Sequence, residues 1–145
     1  MTSALASPTH HDLVAVMSNQ RRLLEQLLFR HAEISMLIAA GEHRFVGRAI
    51  DEAMEVEAEL GAVELLRAMT SSALDSTDST LSEIVDGAPQ DVALQLEKLA
   101  KDMTRLLTEV ERYRRQASAW AGERAGMVSK AVSTFGAQTY SAPRP

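Results

Sequence analysis

Residues 88–135 constrain the fold more than any other stretch, because their apolar side chains recur at alternating spacings of four and three. This spacing is the a/d seam of a heptad helix, and no proline interrupts it after Pro89. A single helix of about 47 residues would be about 70 Å long, so the other segments must pack along it. The seam consists of Val92, Leu96, Leu99, Met103, Leu106, Val110, Tyr113, Ala117 and Trp120.

The composition favours packing between helices. Hydrophobic residues make up 46% of the 145 residues but aromatic residues only 4%, so Leu, Ala, Met and Val must fill the core. The absence of cysteine excludes a disulfide framework and a thiolate metal site. A net charge of −5 argues against generic nucleic-acid binding. No apolar run approaches the ~18 residues of a membrane span, and residues 1–11 lack the features of a signal peptide, so we expect a cytoplasmic protein.

A first helix is predicted over residues 8–40. Its start has two alternatives, either Ser7 as N-cap with Pro8 in the first turn, or Thr9 with Asp12 three residues later. Gly41 is expected to end it as a left-handed C-terminal cap. The predicted seam is Leu13, Met17, Gln20, Leu24, Leu27, His31, Ile34 and Ile38.

A second helix is predicted over residues 43–74. Because the connection to the first helix is tight, the two must be antiparallel neighbours. The helix is acidic, and its predicted seam consists of Val46, Ala49, Ala53, Val56, Leu60 and Val63, with Ile50, Met54 and Leu66 beside it.

Residues 75–88 are predicted to be a linker that contains a short helix. Thr80 and Glu83 have the spacing of a capping box, and Pro89 opens the long helix, which is predicted to end at residue 135 before a tail of residues 136–145. The chain is therefore expected to be a single all-α domain, an elongated antiparallel helical bundle or coiled coil of three long helices plus one short helix. We expect Leu27, Leu60 and Leu99, which are mid-seam residues, to share one core.

The sequence contains no recognisable catalytic motif. A nucleophile elbow, a phosphate-binding glycine loop and a zinc-protease helix are all missing, so we expect no enzyme, no cofactor and no metal site. His31 lies on a seam without a second histidine or a carboxylate at ligand spacing. It is interpreted as a polar residue that sets the register, like Gln20.

Arg112, Arg114 and Arg115 form a basic cluster on the long helix. An RNA-binding patch is one interpretation, but no aromatic residues alternate with the arginines. Electrostatic attraction to the acidic second helix is the preferred interpretation.

The long helix is expected to extend past the first two helices by about 20 Å. Gly122 and Gly126 weaken helix formation in this part. An apolar segment without cover is typical of a partner-binding site. Alternatively, the chain folds back at a glycine, or two copies pair through these ends. Trp120 is either a core residue or a partner anchor. The stripe beyond it consists of Met127, Val128, Ala131, Val132 and Phe135.

The order of four short motifs resembles the FlgN-type flagellar export chaperones. An apolar run closed by Gly occupies residues 37–43, and an acidic helix start occupies residues 46–52. Residues 80–85 have the sequence Thr-Leu-Ser-Glu-Ile-Val, and residues 136–140 have the spelling Gly-x-x-Thr-Tyr. The resemblance covers residues from about 10 to about 141.

The resemblance implies a cytosolic chaperone that binds hook–filament junction proteins, keeps them unassembled and delivers them to the flagellar type III export gate. It implies contact with the junction proteins, with export-gate components as further partners, and no membrane insertion. A structural coiled-coil adaptor that works by self-association is the alternative. The client-binding residues carried over from the resemblance are Trp120, Met127, Val128, Val132, Phe135 and Tyr140, and the apolar stripe adds Ala131.

Overall fold

The chain is almost entirely helical in the part described by the computed structural model, which covers residues 9–74 and 80–140, the side chains of residues 121–140 excepted. The elements are α1 (His10–Ala39), α2 (His43–Leu74), α3 (Leu81–Asp86) and α4 (Gln90–Tyr140). No strand occurs in these residues. The predicted fold class is confirmed, with three long helices and one short helix packed into a bundle.

The second of the two alternative starts is the one that α1 uses. Thr9 is extended at the N-cap, and its Oγ1 accepts a hydrogen bond from the Asp12 backbone N–H at 3.3 Å. The Asp12 carboxylate in turn accepts one from the Thr9 backbone N–H at 2.7 Å. This reciprocal capping box satisfies amide groups that the first turn of a helix leaves without partners.

Gly41 ends α1 with a left-handed backbone, φ +74°. The Glu42 N–H donates to the Leu37 carbonyl at 2.9 Å, and the Gly41 N–H donates to the Ile38 carbonyl at 3.1 Å. These two bonds are the Schellman pattern, which reverses the chain within a few residues. The predicted tight break is therefore present, and α2 runs back antiparallel to α1.

The central helix of the bundle is α1, because both α2 and α4 pack along it. Within the described residues, no Cα atom of α2 comes within 8 Å of one of α4. The short α3 carries the chain back across the end of the bundle. As a result α4 runs parallel to α1, which places Asp102 beside Arg21, with 3.4 Å between the carboxylate and guanidinium atoms.

The apolar core consists of two clusters instead of the single shared core that we expected. Leu99 belongs to the cluster of α1, α3 and α4, whereas Leu27, with the half-buried Leu60 packed against it, belongs to the cluster of α1, α2 and α4. Along α1, the buried polar residue Gln20 lies between them. The buried members of the first cluster are Leu13, Met17, Ile84, Val92, Leu96 and Leu99, and those of the second are Leu27, Ile34, Ala49, Ala53 and Val110.

The long helix continues five residues beyond the predicted end at residue 135, through Tyr140. It contains 51 residues against 30 in α1 and 32 in α2. At 1.5 Å per residue it is about 30 Å longer than α1. The predicted difference in length is therefore present and larger than expected.

Replacing a core leucine in either cluster should destabilise the protein. Leu27→Ala and Leu96→Ala each remove a side chain that is at most 3% exposed, so each should cost about 2–5 kcal/mol of unfolding free energy in urea titrations. The two costs should add, because the residues lie in different clusters. The control Leu94→Ala, at a residue that is 60% exposed, should change stability by less than about 0.5 kcal/mol. A strongly non-additive double variant would contradict the division into two clusters.

Substitution of Gly41 should destabilise the turn between α1 and α2. Gly41→Ala places a Cβ on a residue with φ +74°, although no neighbouring atom lies within 4 Å of that Cβ, and should cost about 1 kcal/mol. The matched control is Gly47→Ala inside α2, where the space is also open. That change should instead stabilise the protein by about 0.5–1 kcal/mol. Equal effects at the two positions in thermal unfolding would argue against the left-handed cap.

Candidate binding groove between α2 and α4

The separation of α2 from α4 leaves a groove whose floor is α1. Two cavities lie along this groove, one of about 260 Å³ toward the start of α1 and one of about 490 Å³ toward its end. Side chains from all three long helices line each cavity. The smaller cavity is bordered by Met17, Gln20, Leu24, Leu60, Glu64 and Leu107, and the larger by His31, Ile38, Ile50, Met54, Glu57 and Arg114.

Three polar side chains meet across the larger cavity. Arg114 of α4 donates through Nη2 to Glu57 Oε1 of α2, so one ion pair spans the groove. His31 of α1 places Nε2 3.6 Å from the same carboxylate oxygen. That distance is too long for a hydrogen bond, and the buried Nε2 atom has no other partner among the described residues. Glu57 therefore connects α2 to both other long helices at this level.

The pKa of His31 is lowered below its ordinary value of 6.5. Burial is the main cause, because the side chain is only 12% exposed and the charged imidazolium would lose its hydration. The Arg114 guanidinium lowers the pKa further, and the carboxylates of Glu57 and Glu111 offset part of the shift. The imidazole is consequently held in its neutral form against the arginine.

A second polar contact connects α1 to α2 at the smaller cavity. Gln20, which is 4% exposed, donates through Nε2 to Glu64 Oε2, and Arg67 Nη2 lies 2.6 Å from Glu64 Oε1. The Gln20 Oε1 atom is buried and has no partner in the described residues. Because a buried amide is stabilised by its hydrogen bonds, this contact fixes the register of α2 on α1.

On α2 the fully buried residues are small, whereas several large apolar residues are exposed. Its buried residues are Ala49, Ala53 and Thr70. A stripe of larger apolar side chains at helical spacing faces solvent beside the groove, whereas scattered single exposures would be ordinary. We call this stripe the α2 stripe. Its members are Ile50, Met54, Leu65 and Met69, with exposed fractions of 42%, 59%, 64% and 61%.

Most of the predicted client-binding residues lie outside the side chains that the structure describes. Trp120, the described member, is half-buried at the end of the described part of α4. The helical backbone of α4 includes the other six positions. These are Met127, Val128, Ala131, Val132, Phe135 and Tyr140.

The predicted attraction between the arginine cluster and α2 involves Arg114 alone among the described contacts. Arg115 instead pairs with Glu111 one turn earlier on its own helix, at 3.4 Å. The Arg112 guanidinium lies 5.1 Å from the centre of the Tyr113 ring. Successive residues of a helix point in different directions, so Arg114 faces α2 while Arg112 and Arg115, three residues apart, lie on the outward side of α4.

Sequence reasoning missed the carboxylates that accompany the polar seam residues. His31 and Gln20 were expected on the seam, but their partners Glu57 and Glu64 come from another helix. The recognisable signal was their spacing of seven on α2, which places both on one side of that helix.

No protein-family model matches this chain, and searches of curated proteins and of solved structures find no match either. Within the described residues, no group of three or more His, Cys, Asp or Glu side chains is arranged to hold a metal ion. In the same residues, no helix is long and apolar enough to cross a membrane.

Acidification should weaken the fold through His31. Because folding lowers the pKa of this imidazole, the unfolded chain binds more protons below its unfolded pKa of about 6.5. The stabilisation is complete above that pH and is lost as the pH falls toward the folded pKa. The unfolding free energy of the wild type should therefore fall more between pH about 7.5 and pH about 5.5 than that of His31→Gln. The control His11→Gln, at an exposed position, should show the same fall in unfolding free energy between these two pH values as the wild type. A His31→Gln curve parallel to that of the wild type would contradict this assignment.

Proposed function

We propose that the chain is a non-catalytic, cytoplasmic export chaperone of the FlgN type. In this proposal it binds flagellar hook–filament junction proteins, keeps them unassembled and delivers them to the type III export gate. The observation that carries the proposal is the length of α4, which has 51 residues beside helices of 30 and 32. The motifs at residues 37–43, 46–52, 80–85 and 136–140 supply the resemblance to this family.

The client-binding segment in this proposal runs from Trp120 to Tyr140. By length alone, the last part of α4 extends beyond the hairpin of α1 and α2, which cannot cover it. Its apolar residues recur at helical spacing, which suits binding in a hydrophobic groove of a client or beside a client helix. Phe135 is the proposed anchor, since aromatic side chains bury the most area on association.

The alternative function is a structural coiled-coil adaptor that works by self-association. The observation that favours it is the α2 stripe, which offers a second apolar surface outside the α4 segment. The two functions differ in the identity of the partner. A chaperone captures one stoichiometric junction protein, whereas an adaptor binds copies of itself and does not depend on that client.

Co-expression with hook-associated proteins tests the proposal directly. We expect a single junction protein to co-purify with the tagged full-length chain in a stable stoichiometric complex and to aggregate without it. Co-expressed flagellin or hook protein serves as the comparison. If no junction protein co-purifies while the chain self-associates tightly, the adaptor is the better description.

Polar substitutions in the α4 segment should separate client binding from folding. The triple variant Val128→Ser, Val132→Ser, Phe135→Ser should weaken client binding at least about 100-fold, because loss of interface hot spots costs about 2 kcal/mol or more each. Titration calorimetry measures the affinity, and urea titration should show almost unchanged stability. The matched control replaces Phe29, Met36 and Leu94, which are 60% or more exposed, by Ser and should bind the client normally. If the triple variant unfolds, and its folded fraction binds the client as tightly as the wild type does, the α4 segment is not the client-binding site.

A further inference from the structure

We propose that the α2 stripe and the outward face of α4 bind a second copy of this chain, in a two-fold dimer whose symmetry axis is parallel to the long helices. In this dimer α2 of each copy lies over α4 of the other. The inference uses the described bundle, does not rest on the chaperone function, and gives a specific geometry to the self-association that the alternative function invokes. The charged and apolar side chains of the two helices follow matching patterns.

Residues of α2 and α4 can be matched by their level, which is their position along the axis of the bundle. Glu57 is level with Arg114, because these side chains form an ion pair across the groove. Farther along, Glu64 and Leu107 line the same cavity. Numbers on α2 therefore rise as numbers on α4 fall, and the two helices are antiparallel within one chain. By the same relation, Glu59 is level with Arg112, and Glu55 is level with the turn that contains Arg115.

The outward faces of α2 and α4 carry rows of charged side chains. Asp51, Glu55 and Glu59 recur at spacings of four beside the α2 stripe, and all three are exposed. None of these acids has an ion pair with another described residue. On α4, Arg112 is exposed, and Arg115 remains 80% exposed despite its pair with Glu111. One copy therefore presents an acidic row and a basic row at the same levels.

The direction of the two-fold axis decides which charged rows face each other in the dimer. Rotation about a two-fold axis parallel to the helices keeps every residue at its level, so the acidic row of one copy faces the basic row of the other. A two-fold axis perpendicular to the helices would place α2 over the partner's α2, so that the acidic row would never face the basic row, and an axis at the level of the acidic row would bring the two acidic rows together. Like charges placed opposite each other in an interface are strongly unfavourable. The charges therefore select the parallel axis, and the contact is closed because each copy uses the same two surfaces.

Exposed apolar side chains lie on α2 between the acidic row and the C-terminal end of the helix. Leu65 on α2 is 64% exposed, and Leu107, at nearly the same level of α4, is 52% exposed. The parallel axis brings Leu65 of each copy over Leu107 of the other. Met69 follows one turn later on α2, and by the same relation it is level with the turn of α4 that carries the small residues Ala100 and Thr104. Small residues opposite long flexible ones allow close packing of the helices.

Charge exchange between two variants tests both the dimer and its symmetry. The acid variant carries Glu55→Lys and Glu59→Lys, and the base variant carries Arg112→Glu and Arg115→Glu. Alone, each variant places like charges opposite each other at both contacts of the two-fold dimer. An equimolar mixture restores opposite charges at both contacts, but only in a heterodimer with the parallel axis. Sedimentation equilibrium of the full-length chain measures the dimerisation of the acid variant, of the base variant and of their mixture, in which one variant is fluorescently labelled.

We expect the wild type to dimerise at micromolar concentration, each variant to dimerise at least about 100-fold more weakly, and the mixture to recover the wild-type affinity. The control Glu25→Lys, Asp86→Lys makes the same change of net charge as the acid variant, at exposed positions away from these rows, and should dimerise normally. Circular dichroism verifies that each variant is folded. If a variant is unfolded, Glu55→Gln, Glu59→Gln replaces it and should weaken the dimer by a smaller factor. A wild type that is monomeric at about 100 μM, or a mixture that stays monomeric, overturns the proposal.

Discussion

The packing of the apolar seam of α1 against two helices at once is the contact on which the rest of the structure depends. Leu13 and Met17 on this seam pack with α3 and α4, and Leu27 and Ile34 pack with α2 and α4. Since α2 and α4 do not approach each other closely in the described chain, each is held mainly by α1. A three-helix bundle usually buries the inward side of all its helices against two neighbours. Here only α1 has that arrangement, and the groove is its direct consequence.

The polar residues of the α1 seam determine how the other helices are aligned. If the seam of α1 contained leucines alone, α2 or α4 could shift along it by one helical turn at small energetic cost, because apolar contacts are not directional. The hydrogen bond of Gln20 to Glu64 is directional and would be lost in such a shift, and the shift would also move Glu57 away from His31. Glu57 also receives Arg114 from α4, so the same carboxylate aligns three helices. Polar groups in an apolar seam are known to trade stability for a defined register.

Local signals were predicted well from the sequence, whereas contacts between helices were not. The Gly41 cap and the bounds of α2 follow from residue chemistry within a few positions, so the amino-acid pattern contains them. A heptad pattern, however, shows which side of a helix is apolar and not which helix covers it. For that reason Leu60 and Leu99 were expected in one core but belong to different clusters. The exposed α2 stripe was missed for the same reason, because the pattern places Ile50 and Met54 beside the seam of α2 without showing that no helix covers them.

Of the three long helices, α2 has the fewest buried side chains among the described residues. It presents Ala49 and Ala53 to α1, and an alanine buries far less area than a leucine or methionine would. The side chains of the α2 stripe face solvent, where they contribute little to folding of the single chain. Helices held by few buried contacts open at lower free energy than the rest of a fold. A partner that covers Leu65 and Met69 would add the buried area that α2 lacks, so association and the ordering of this helix are thermodynamically linked. The exposed residues that contribute little to folding of the single chain therefore make a bound state of α2 more favourable.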